Sequence, residues 1–315
     1  MSNNVAIITD TTACVPQDKV KEYSIELVPI EVIFGDKVYR DGVDINHDEF
    51  YRRLVESPVH PTTSQPPPSD FAEVYNKIAG ETDEVVSLHL SSKASGTYEA
   101  ALRGRDMVMG KCAIEVVDTL SVSMGLGLIA VTAARLARAG EDLQRVVDEV
   151  REAVASTRIF GLLDTLRYVL LGGRLGKAKG LLGTLLNVRF LLTMRGGEIM
   201  PIGIARTRAK GIERLAGTIR SALHLQELAI VHSTTPDEAN SLRERFTSTL
   251  AEDRIHVSRL GPALGVHGGP GTLLVALREK VTGLAQGAAA GEPAKKKFSL
   301  PSISIPKLRF SYRDV

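Results

Sequence analysis

Short runs of apolar and β-branched residues alternate along this chain with stretches whose apolar positions recur every three or four residues. Runs of the first kind predict strands at 5–9, 27–34, 84–90, 114–118, 158–163, 190–194, 198–205, 228–232 and 255–259. The second pattern predicts helices at 48–55, 69–79, 96–109, 124–139, 143–156, 165–171, 177–186, 208–223, 236–249 and 271–282. Alternation of this sort implies an α/β fold with largely parallel sheets. Gly140 follows one helix as a natural C′ residue, and Pro236-Asp237-Glu238 suits a first helical turn capped by Thr234 or Thr235.

A long helix gives way to a new apolar strand at Ser156, which marks two α/β domains, 1–156 and 157–284. Residues 283–293 are rich in Ala and Gly and read as a linker. The tail as a whole, 285–315, joins most of that linker to a basic segment, 295–315, that alternates apolar with Ser and Pro residues behind the triplet Lys295-Lys296-Lys297.

Composition narrows the function classes. Of 315 residues, 43% are hydrophobic and 24% charged, the balance of an ordinary globular protein. Tryptophan is absent and aromatics make up 5%, which disfavours base-stacking surfaces. The net charge of +2 hides an uneven spread: the tail from 285 carries six Lys and Arg against Glu292 and Asp314, a net of +4, so the body stands at −2. Nucleic acid is therefore not an expected partner. Cys14 and Cys112 stand in no CxxC or Cys/His spacing, so neither a disulfide framework nor a metal site is expected. The N-terminus has no basic leader, and no apolar run nears the ~18 residues of a membrane span. The cytoplasm is the expected compartment.

Four polar segments, marked by Gly or Pro, fall at element junctions. Thr62-Thr63-Ser64-Gln65-Pro66-Pro67-Pro68 is held extended by its prolines. Leu90-Ser91-Ser92-Lys93-Ala94-Ser95-Gly96-Thr97-Tyr98 joins an apolar run to a helix, and so gathers hydroxyls, free N–H groups and a helix dipole suited to an anion. The third runs from Asp118 through Ser121 and Ser123 to Gly127, into a helix. The fourth, His267-Gly268-Gly269-Pro270-Gly271, is a tight turn presenting one imidazole. Each alone serves as a cap or turn, but four at α/β junctions predict a shared cleft.

The usual catalytic signatures fail. Ser95 lacks the G-x-S-x-G elbow, and Gly172-Gly173-Arg174-Leu175-Gly176-Lys177 is followed by Ala178 where a phosphate loop needs Ser or Thr. Gly125-Leu126-Gly127-Leu128-Ile129-Ala130 is a weak dinucleotide fingerprint, placed too far past its strand. What remains is hydroxyls and one histidine, a set that can hold a carboxylate without a buried arginine. Between 163 and 192 the chain offers apolar lining for an acyl tail: Leu166, Val169, Leu170, Leu171, Leu181, Leu182, Leu185, Leu186, Val188, Phe190 and Leu191, most of which also suit an ordinary core.

Thr63-Ser64-Gln65-Pro66, Ser91-Ser92-x-x-Ser95-Gly96-Thr97-Tyr98, the Asp118 to Gly125 segment, Gly172-Gly173-Arg174-Leu175-Gly176, Arg206-Thr207-Arg208-x-Lys210 and the His267 to Gly271 turn together resemble the DegV family of fatty-acid-binding proteins. The likeness runs from about Val5 to Arg278, and the opening Ile8-Thr9-Asp10-Thr11-Thr12-Ala13 shares it. It implies a two-domain fold with a lipid tunnel between or beside the domains. It implies a carboxylate held by Thr63 and Ser95 with His267 close by, and further contacts at Ser64, Gly96, Thr97 and Ser123. It also implies a non-enzyme with no cofactor, which presents its long-chain fatty acid to a separate fatty-acid kinase across Arg174, Arg206 and Arg208. Pro67 stands where the family usually has serine, and Phe190 where proline is common.

Two rival readings remain. One is a serine hydrolase with Ser95 as nucleophile, His267 as base and Asp10 or Asp118 as orienter. The other is a regulatory lipid-sensing module. In the tail, Lys295-Lys296-Lys297 and the apolar residues after it offer weak contact with an anionic membrane. Pro301 and Pro306 oppose an amphipathic helix there and favour a plain surface appendage.

Overall fold

The computed structural model describes residues 5–175 and 187–280. The predicted helix at 177–186, with Leu181, Leu182, Leu185 and Leu186, and the linker and tail from 283 onward lie outside the described residues. In chain order the elements are β1 (Ala6–Asp10), α1 (Gln17–Glu22), β2 (Glu26–Val28), β3 (Glu31–Phe34), β4 (Lys37–Arg40), α2 (His47–Glu56), β5 (Thr62–Ser64), α3 (Pro68–Ala79), β6 (Glu84–His89), α4 (Thr97–Arg105), β7 (Ala113–Asp118), α5 (Met124–Arg138) and α6 (Leu143–Ser156). They continue with β8 (Thr157–Leu163), α7 (Arg167–Leu171), β9 (Arg189–Arg195), β10 (Glu198–Ala205), α8 (Arg208–Arg220), β11 (Leu225–His232), α9 (Pro236–Glu244), β12 (Ile255–Arg259), α10 (Pro262–Gly268) and β13 (Leu273–Glu279).

The α/β reading holds, and the sheets divide it. The first sheet, in the order β2-β1-β6-β7, is parallel throughout. The second, in the order β10-β9-β8-β13-β11-β12, pairs β11 with β12 in parallel and is otherwise antiparallel. The β8, β9 and β10 strands pair antiparallel in succession, and two further antiparallel pairs come from residues 271–282, predicted as helix. Leu273-Leu274-Val275-Ala276-Leu277 is an apolar run too short for periodicity to separate strand from helix. Gly269 and Gly271, at φ 74° and 76°, turn the chain just before it. The run then inserts as β13 between β8 and β11, antiparallel to both. A third, antiparallel sheet has the order β4-β3-β5, and Pro29 breaks the predicted strand 27–34 into β2 of the first sheet and β3 of the third.

Helix α5 sits between the two large sheets. It packs on β1 and β6 of one and on β8, β11 and β13 of the other. Its residues from Met124 to Ala134 are buried on every side, as an all-apolar helix must be. One core cluster accordingly spans both sheets, from Ile7 and Leu88 through Leu128 to Ala229 and Ala276. Among the described residues no helix is long and apolar enough to cross a membrane.

In the parallel sheet, β1 lies between β2, which follows it in the chain, and β6, which comes later. The strand order reverses between β1 and β6, where open α/β sheets place ligands, just beyond the carboxyl ends of the strands. The turns after β1 and β6 both open there.

Candidate functional site

The turn after β6 is built around its own backbone. Ser91 N–H donates to Ser121 O at 2.9 Å, and Ser91 O accepts from Ala94 N–H at 2.9 Å and Ser95 N–H at 3.1 Å. Asp118, at the end of β7, braces it by accepting from Ser92 N–H and Leu120 N–H. Ser95 Oγ accepts from Thr97 N–H at 3.3 Å, two residues on, as in a serine turn, and lies 2.9 Å from Thr97 Oγ1.

Thr63 comes from β5, opposite Val32 of β3. Its Oγ1 lies 3.1 Å from Nε2 of His267, in the last turn of α10. The imidazole rests against Gly172, where a Cβ would come within 2.0 Å of Nδ1. His267 Nδ1 is buried and has no hydrogen-bond partner among the described residues. Burial, with the charge of Arg174 and the neighbouring His60 adding to it, pushes the His267 pKa down to about 3. The ring is therefore neutral at physiological pH.

Two cavities meet at this histidine. The more polar one, of about 90 Å³, is lined by Thr12, Thr63, Ser64, Gln65, Ser95 and Arg174, and Ile30, Leu90, Ala94 and Ala263 share its wall. An apolar one of about 110 Å³ is lined by Ile159, Phe160, Leu163, Val169, Leu192, Met194 and Leu274. His267, Leu264, Val122 and Ile199 wall both.

The polar segments distribute unevenly around this site. Thr63, Ser64, Ser95 and His267 line the polar cavity. Gly96 lies against the Gln65 side chain, and buried Thr97 reaches the site through Ser95. Ser123 is fully buried at φ 52° and lines neither cavity; its neighbour Val122 does. Of the expected apolar lining, Val169 faces the cavity, while Leu166, Val188, Phe190 and Leu191 are core. Leu170 and Leu171 are exposed.

Among the three arginines, Arg206 is exposed and Arg174 lines the polar cavity. Arg208 is turned inward, unlike the outward residue expected from the sequence. Its guanidinium grips both carboxylate oxygens of Glu238, Asp164 Oδ1 and the carbonyl of Gly271, because five fixed donors suit a partly buried junction of acceptors. It thereby clamps the turn that carries His267.

A buried chain of polar groups behind the site escapes sequence reasoning. Asp10 Oδ2 lies 3.1 Å from His89 Nδ1, His89 Nε2 lies 2.8 Å from Ser87 Oγ, and Tyr75 Oη donates to Ser87 Oγ at 2.8 Å. Asp10 also accepts from Leu90 N–H and Thr12 N–H, so it fixes both turns at the crossover between β1 and β6. The aspartate considered as an orienter for His267 is thus bound to a different histidine. His267 itself contacts Thr63, which does not supply the base-to-nucleophile bond a Ser95 hydrolase requires.

A family model described as an uncharacterised protein of the DegV family matches residues 4–280. A DegV domain-containing protein of Streptomyces coelicolor is 37% identical over 288 residues, covering 89% of this chain and 100% of that one. Among solved structures, a DegV family protein from Thermus thermophilus, described as fatty acid binding, superposes with a TM-score of 0.81 at 32% identity, over 88% of this chain and 100% of that chain. DegV from Bacillus subtilis, described as a fatty acid binding protein, does so with a TM-score of 0.80 at 28% identity, over 89% and 100%.

Proposed function

The chain belongs to the DegV family, and from that premise we propose that it binds a long-chain fatty acid, with the carboxylate in the polar cavity and the acyl chain in the apolar one. The observation that carries this reading is the junction at His267, where a hydroxyl-lined mouth adjoins an almost wholly apolar cavity. The relatives from Thermus thermophilus and Bacillus subtilis support it.

Each hydroxyl has a neighbour that frees its proton for the ligand. His267 is neutral, so one ring nitrogen carries hydrogen and the other a lone pair. Assigning the hydrogen to Nε2 leaves at buried Nδ1 a lone pair rather than a stranded donor, which costs less. Nε2–H then donates to Thr63 Oγ1, and the Thr63 proton is free to donate to a carboxylate. Between the hydroxyls of Ser95 and Thr97 either oxygen can donate; with Thr97 as the donor, the Ser95 proton is free for the ligand as well. Each such bond to a charged acceptor contributes about 1.5–3 kcal/mol. Each buried methylene adds about 0.8 kcal/mol, so the acyl chain supplies most of the affinity and the hydroxyls fix its polarity.

On this reading the chain performs no chemistry itself. A separate kinase phosphorylates the carboxylate held at the mouth, with exposed Arg206 and the cavity-lining Arg174 as the basic residues nearest to hand.

Protein purified without detergent, then extracted and examined by mass spectrometry, should yield a long-chain fatty acid in stoichiometric amount. Absence of lipid, together with failure to bind labelled palmitate and oleate, would overturn the proposal. Because the folded His267 loses its proton above about pH 3, no protonation of the ring accompanies binding near neutrality. Oleate affinity, measured below its aggregation limit, should stay flat from about pH 6 to 9. A steep loss centred near pH 6.5 would mean that a cationic imidazole holds the carboxylate instead.

A further inference from the structure

The β9–β10 hairpin reaches from the second sheet to the turn that carries Ser95. At its tip are Gly196 and Gly197, with φ 56° and 81°. Gly197 O accepts a hydrogen bond from fully buried Ser91 Oγ at 2.8 Å, across 106 residues of sequence. A Cβ on Gly197 would lie 2.4 Å from Ser91 Oγ and 3.1 Å from both Leu120 Cδ2 and Lys93 Cγ, so the tip can dock this closely because it is glycine. Ser91 shapes the head-group turn as well: its carbonyl accepts from Ser95 N–H and its Oγ accepts from Lys93 N–H. Two residues beyond Gly197, Ile199 walls both cavities.

The outer strand of the hairpin lies at the margin of its sheet. In the sheet β10 is an edge strand paired with β9, and its register slips between Pro201 and Gly203. An edge strand interrupted in this way opens at low cost, so a contact at its tip has large leverage on its position.

We propose that Ser91 is a positioning residue of the ligand site: its hydroxyl pins the β9–β10 hairpin against the head-group turn and thereby sets how fast an acyl chain passes Ile199. The proposal rests on the fatty-acid reading for its kinetic part. Its structural part, the pinning of the hairpin, stands apart from any ligand.

Two variants test it, each on folded protein verified by thermal melting. In ligand-free Ser91→Ala, hydrogen exchange at the amides of residues 196–199 should quicken about 3- to 10-fold, the effect of one hydrogen bond. Oleate should both associate and dissociate faster, with Kd changing less than either rate. A Thr63→Ala variant, by contrast, should raise dissociation alone. Gly197→Ala, whose Cβ displaces the tip from the other side, should reproduce the Ser91→Ala kinetics, and the double variant should be no faster than either. Unchanged exchange at residues 196–199 in both variants would overturn the proposal whatever the ligand does. Quickened amide exchange with unaltered oleate rates would overturn its kinetic part. If the wild-type protein bound no fatty acid, the functional reading would fall, and the amide exchange would still decide the pinning.

Discussion

Replacing Thr63 by valine is expected to weaken oleate binding by about 10- to 150-fold, and Ser95→Ala by a similar factor. Valine keeps the branched shape that β5 accommodates but removes the proton donated to the carboxylate. It also leaves His267 Nε2 without its acceptor at 3.1 Å. Ser95→Ala removes the second donor and strips Thr97 N–H of the hydroxyl oxygen it donates to. Each variant should also lose about 1 kcal/mol of stability. The head-group role is separated from that structural cost by the ligand. Oleyl alcohol, which carries no charge, should lose much less affinity than oleate in both variants, since a neutral acceptor draws less from the same donor. Titration of both ligands into each variant makes the comparison. Wild-type oleate affinity in Thr63→Val and Ser95→Ala alike would remove the carboxylate from this cavity.

The parts of the site that could be read in the sequence are those whose chemistry is local. Prolines 66 to 68, the hydroxyls between Ser91 and Thr97, and the glycines after His267 each announce a junction by themselves. What was illegible depends on pairing across the chain. His89 closes an apolar run in β6 and looks like an ordinary strand end. It becomes part of a buried chain because β6 pairs with β1 and brings Asp10 to it. Arg208 reads as a surface cation in a basic motif, until α8 is seen to place it over Glu238 and Asp164. Residues 273–277 misled because a short apolar run has no period of its own, and the sheet that receives it decides its conformation. Misreading that strand also hid the two antiparallel pairs it makes with β8 and β11.

Glu227→Gln is expected to cost about 3–5 kcal/mol of stability and to lower the melting temperature by on the order of 10 °C. Glu227 on β11 is fully buried, and three arginines converge on it. Arg135 of α5 and Arg278 of β13 lie at 2.8 Å, and Arg254 lies at 3.6 Å. Burial alone would raise its pKa, but Arg135 and Arg278 outweigh burial and hold the carboxyl below its ordinary value. The glutamine leaves those arginines without their counter-charge in a desolvated place, which is the costly half of a buried ion pair. A group held low contributes stability that is present above the ordinary 4.5 and fades as pH falls through the folded value. The gap between wild type and Glu227→Gln should therefore narrow in acid. Adding Arg278→Met should restore part of the loss, because the stranded charge goes with it. A shift under about 2 °C at neutral pH would show that the arginines find other partners. The site feels this network through α5, which packs on the strands that carry Ile159 and Leu274 at the apolar cavity. Loosening the junction at Glu227 should thus also speed the loss of bound fatty acid, in a variant that touches neither cavity.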